Sequence, residues 1–161
     1  MRTTSVGLDS MATSNDLSRA GFRHSSVVAT QLNVVHPEVP DGGPFCRLGV
    51  ATSAPLAPGV HAWAVGDEVV YVGRASHLLH MVQGAQFARA YNDFTYVPPS
   101  KAASIHSPRV RVNRLLNSAI VAGREVTWWW RATESVVEAD GLKSDLIHTW
   151  HPAWNRNLPR K

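Results

Sequence analysis

Groups able to move protons or hold anions recur through the middle and end of this chain: His61, Tyr71, Arg74, His77 and His80, then Lys143 and, beyond Pro152, Asn155. Imidazoles titrate near neutral pH and can give or take a proton. A phenol can align or activate a water. A lysine pairs with a phosphate while charged, and attacks a carbonyl if burial lowers its pKa. The chemistry implied is metal-free acid/base or nucleophilic work, or the binding of an anion. No metal or other cofactor is expected, because no His, Asp and Glu spacing here matches a zinc-binding helix. Cys46 is the single cysteine, which excludes an internal disulfide and a cysteine-clustered metal site; it reads as a small buried hydrophobe.

These residues must be carried by elements that the pattern makes legible. Residues 59–65 and 68–72 are apolar, β-rich runs around a Gly66-Asp67 turn, an antiparallel hairpin. Ser76 is placed to cap a helix through "HLLHMVQGAQFARA", and Pro98-Pro99 sits in an open loop. A second helix is framed by Ser107 as cap, Pro108 as first residue and Gly123 as stop; Val112, Leu115, Leu116, Ala119 and Ile120 share its apolar face. "EVTWWWRA" reads as a strand, with Trp128 and Trp130 on one face and Trp129 and Arg131 on the other, at least one face packing into a core. A last helix opens at Thr133 or Ser135 and runs to about Trp150.

Upstream, "NDLSRAGF" suits a short helix ended by Gly21. "SSVVATQL" and "CRLGVA" suit a strand pair across "HPEVPDGGP". The expected organisation is a flexible stretch over 1–14, an appended segment over 15–58, one domain over 59–155 and a tail over 156–161. The order β-β-α-α-β-α in the main unit predicts an α+β fold, a small antiparallel sheet flanked by helices, with the N-terminal segment as an extension.

Taken together, these residues resemble the GIY-YIG nuclease superfamily. Gly59-Val60-His61 stands where that family has its first triplet and Tyr71-Val72-Gly73 where it has the second, with "GRAS" following. Leu146-Ile147 and "HPAWN" match the closing helix and its terminal asparagine, here Asn155. The resemblance spans residues 59–155 and implies hydrolysis of a DNA phosphodiester. It implies an arginine that stabilises the extra phosphorane charge, a glutamate that holds one divalent metal, and tyrosines that align phosphate and water.

Residue by residue, the carry-over fails at three slots. The tyrosine of the first triplet is His61, the arginine slot eight residues past Gly73 is Met81, and the glutamate slot three residues before Leu146 is Lys143. An ammonium cannot ligate a hard cation and repels it. The loss of one charge-stabilising donor is worth about 2.7–4 kcal/mol in such a barrier. The leading expectation is therefore a degenerate nuclease site that binds DNA with little or no metal-dependent hydrolysis. A second is a repurposed, metal-independent enzyme acting on a small molecule through His61, Tyr71, His77, His80 and Lys143. A third is an active endonuclease rescued by Asp140, one helical turn before Lys143, with Arg74 supplying charge.

Charge supports the first. Sixteen basic against twelve acidic residues give a net charge of +4. Between Lys101 and Arg131, six cations (Lys101, Arg109, Arg111, Arg114, Arg124, Arg131) face one acid, Glu125. Lys101, Arg109, Arg111, Arg114 and Arg131 are the expected phosphate contacts. The bland alternative is a solvated arginine-rich face. Hydrophobic residues make up 44% of the chain, as in a globular protein. No apolar run approaches the roughly 18 residues of a membrane span. No membrane partner is expected, and the cytoplasm is the expected address; the oligomeric state is not legible.

Overall fold

The computed structural model describes residues 11–35, 43–83 and 108–155, with the side chains of 82, 83 and 108–110 excepted. The Pro98-Pro99 loop, the Ser107 cap, the second half of the helix expected after Ser76 and the tail over 156–161 lie outside these residues. So do 1–10.

The chain is α+β. One five-stranded antiparallel sheet has the order β2-β1-β5-β3-β4, built from β1 (Arg23–Val34), β2 (Phe45–Ala51), β3 (Gly59–Val65), β4 (Glu68–Ala75) and β5 (Val126–Ala132). Among the described residues four helices accompany it, α1 (Ser14–Arg19), α2 (Leu78–Gln83), α3 (Pro108–Val121) and α4 (Val136–Trp150), and a 3-10 turn follows over Ala153–Asn155. The sheet is larger than the main unit alone predicted, because β1 docks on β5 and brings β2 with it.

β3 is buried along its whole length, as a continuous apolar run between two covered faces should be. On one face, Trp63, Val65, Trp128 and Trp130 pack with Leu78 of α2 and with Val112, Leu116 and Ala119 of α3. On the other, Val60, Ala62, Ala64, Val72 and Trp129 pack with Leu17 of α1 and Ala139 of α4. The strand alternation of the tryptophans is as expected, and both faces are core: Trp128, Trp129 and Trp130 are all buried.

Several boundaries follow their sequence signals. α1 stops at Gly21 (φ 84°) and α3 at Gly123 (φ 80°), where Gly123 N–H and Arg124 N–H reach back to the carbonyls of Ile120 and Ala119. α4 is capped by Ser135, whose hydroxyl accepts from the Glu138 amide at 3.1 Å.

Two expectations need correcting. α2 begins at Leu78, so Ser76 is not its cap; the amides of Leu78 and Leu79 instead donate to the carbonyls of Ala57 and Pro55. The incoming loop takes the role of the cap. The end of the 1–14 stretch is also fixed. Ala12 is buried, its carbonyl accepts from Val69 N–H, and Ser14 N–H donates to Asp67.

Asparagine amides close the sheet's two outer strands. Asn113 of α3 accepts from the Cys46 amide and donates to its carbonyl, both at 3.0 Å, on edge strand β2. Asn155 does the same to Val72 on edge strand β4, at 2.7 and 2.8 Å. A carboxamide offers one donor and one acceptor side by side, the pairing a neighbouring strand would supply.

Candidate functional site

The two triplets lie on adjacent paired strands. Gly59-Val60-His61 is in β3, Tyr71-Val72-Gly73 in β4, and the register sets His61 opposite Gly73 and Trp63 opposite Tyr71. Opposed residues of an antiparallel pair share a face, so His61, Tyr71 and Gly73 meet on the side covered by α2 and α3. The His61 and Tyr71 rings are 5.9 Å apart.

Gly73 is glycine for a steric reason. A Cβ there would stand 2.5 Å from His61 Nε2 and 2.9 Å from Tyr71 Cε1, so the imidazole occupies the space that any side chain would need.

His61 is 1% exposed. Trp128 Nε1–H donates to its Nδ1 at 3.3 Å, which requires that nitrogen to be unprotonated and puts the proton of the neutral ring on Nε2. Burial drives the pKa down to about 3, and the charge of half-buried Lys143 adds to the shift. At neutral pH the ring is an uncharged hydrogen-bond donor and a weak base. Proton shuttling, one of the roles its residue type suggests, is thereby disfavoured.

The other slots are also accounted for. Met81, in α2, is half-buried and packs on the same cluster as Tyr71 and Trp154. A thioether is at home there, whereas a guanidinium would have to be hydrogen-bonded or expelled. Asn155 spends both halves of its amide on Val72, between Tyr71 and Gly73 in the chain, and so fixes the 3-10 turn to the triplet strand.

Arg74 points away from this cluster. It lies on the α4 side of β4, where Nη1 meets Asp140 Oδ2 at 3.3 Å, with both side chains well exposed. Asp140, the expected rescue ligand, is thus beside a cation. The residues here do not fit a divalent metal: Lys143 cannot ligate one, and the nearest carboxylate on that helix face is paired with Arg74. Among the described residues, no three His, Cys, Asp or Glu side chains converge to hold an ion. His77 and His80 are exposed and face each other, ring centroids 5.3 Å apart.

The basic group divides. Lys101 lies outside the described residues, and Arg109 is described only as backbone in the first turn of α3. Arg111 and Arg114 are half-buried further along that helix and Arg124 is exposed just past it. Arg131 braces the fold: its Nη1 donates to the Ala20 carbonyl at 2.9 Å, across the turn after α1. Cys46 is fully buried, and burial pushes its thiol up to about 12, as expected of an inert core residue.

Sequence reasoning passed over Trp128 as the partner of His61 and Gly73 as its seat. The signal existed, a tryptophan run two strands away, but only the β3–β5 register, Trp63 against Trp128 and His61 against Trp130, brings them together. A shallow cleft of about 200 Å³, lined by residues including His24, Ser26, Ala29, Ile120, Arg124 and Thr127, contains none of the candidate catalytic residues.

Comparison with known proteins adds little. No protein-family profile matches the chain, and no curated protein matches it in sequence. Among solved structures, a mutant form of bacteriophage T4 EndoII is similar over 88% of this chain and 97% of its own, with a TM-score of 0.49 and 16% identity.

Proposed function

We propose that this chain is a GIY-YIG-like protein that binds DNA without appreciable metal-dependent hydrolysis. The observation that carries the reading is the side-by-side pairing of the two triplets, with His61 seated on Gly73 next to Tyr71, while the arginine slot is filled by Met81 and the glutamate slot by Lys143. A scaffold kept to this degree, with both charge-handling residues replaced, favours binding over cutting. The ammonium of Lys143 can pair with a phosphate where a relative would hold a cation, and Arg111, Arg114 and Arg124 supply further backbone contacts. Arg109 and Lys101 belong to the same basic stretch of sequence. The small-molecule alternative draws less support, since His61 is neutral and His77 and His80 pair with each other in solvent.

The test is an anisotropy titration of a short labelled duplex across salt concentrations, with plasmid incubated in parallel with magnesium or manganese. Binding should weaken with salt, and Arg111→Ala with Arg114→Ala should flatten the log–log slope by about 0.9 for each phosphate contact removed. No affinity at low salt, or metal-dependent nicking, overturns the proposal.

A further inference from the structure

β1 is twelve residues long, yet β5 pairs with its first four only, from Arg23 opposite Trp130 to Ser26 opposite Thr127. From Val27 onward β1 keeps β2 on one side and, among the described residues, has no strand on the other. The cleft noted above opens at this step, between Ala29 and the start of β5.

A bare strand edge offers alternate backbone N–H and C=O groups to any other strand, and proteins usually guard such edges with charges, prolines or covering side chains. This molecule guards its others. Asn155 covers Val72 on β4, Asn113 covers Cys46 on β2, and Asn117 holds Asn33 at the far end of β1, accepting from its amide at 2.9 Å. Among the described residues, no side-chain amide covers the stretch Val27–Leu32 in this way. Residues 25–35 contain no charged residue and no proline. Val28 is 64% exposed, Leu32 38% and Val35 61%, three of the large apolar side chains that the fold leaves in water.

We propose that this edge is a self-association surface, where β1 of one copy pairs antiparallel with β1 of a second copy across a two-fold axis. Neutrality is what selects a second copy. The strand itself carries no charge from 25 to 35 and meets itself without repulsion, and at the adjoining cleft Arg124 stands next to the acid Glu125 rather than in a run of cations suited to a polyanion. A register centred on Thr30 sets Val28 of each chain against Leu32 of the other, a β-branched and aliphatic pair on the exposed face. The two sheets then run on as one, with Arg124 and Glu125 of each copy flanking the junction. Because the chain carries a net charge of +4, added salt screens the repulsion between copies and should strengthen the pair, opposite to its effect on DNA binding.

Sedimentation equilibrium of the full chain across the micromolar range, at low and high salt, reads this directly. The expected result is a dimer that persists at high salt. Val28→Lys or Leu32→Lys should reduce it to a monomer, while Val137→Lys, at an exposed apolar site on α4, leaves it intact. Thr30→Cys should cross-link the pair under mild oxidation. A wild-type chain that stays monomeric at all concentrations overturns the proposal and leaves the edge to an extended segment of some other partner. A dimer unmoved by both lysine variants overturns it as well.

Discussion

On one face of β4, Tyr71 and Gly73 lean into a packed cluster with a neutral imidazole at its centre; on the other, Arg74 meets Asp140 in solvent, with side chains 38% and 55% exposed. The residue types would suggest the reverse ranking, since an Arg–Asp pair looks like the stronger interaction. Environment decides otherwise. In water the ion pair is screened and holding two long side chains costs entropy, so it contributes little. Inside, each contact has a steric or hydrogen-bond consequence that cannot relax. A functional group can thus be retained for how it is held, and its proton chemistry can be suppressed by the same packing.

The comparison is broken most directly at Gly73. Gly73→Ala drives a methyl group against His61 Nε2 and should destabilise the chain by about 3 kcal/mol, the upper end for overpacking a core. Urea denaturation measures it; a change under about 0.5 kcal/mol means the imidazole is free to move aside, against the steric account.

Next comes acid. The folded His61 resists protonation until about pH 3 while the unfolded residue takes a proton near its ordinary 6.5. The unfolded state therefore binds more protons in between, and stability is lost as pH falls through that window, by up to about 1.4 kcal/mol per pH unit. Between pH 6.5 and 5, above the carboxylate range, this amounts to about 1.6 kcal/mol. Unfolding curves of wild type and His61→Gln should diverge in slope over that interval, and identical slopes would mean that the histidine is not buried neutral.

The smallest effect belongs to the solvent face. Arg74→Ala and Asp140→Ala should each cost under about 1 kcal/mol, with a coupling energy in a double-mutant cycle that shrinks in high salt. A coupling well above that would place the pair in a drier setting and sharpen the case for a role of Asp140 beyond the surface.

Local signals account for much of what the sequence by itself determined. The hairpin around Gly66-Asp67, the start of α3 at Pro108 and its stop at Gly123, and the strand of three tryptophans each rest on a few neighbouring residues with one dominant conformational preference. So does the choice of candidate site residues, since slots counted along the chain need only spacing. What tertiary structure alone decided is the character of those slots. That His61 is uncharged depends on burial and on Trp128, from another strand. That α2 starts at Leu78 depends on the carbonyls of Pro55 and Ala57, and that β1 and β2 belong to the sheet depends on a docking with β5, about a hundred residues away in sequence. Desolvation and long-range pairing are properties of the assembled chain: no residue's own chemistry reports how much water its fold leaves around it.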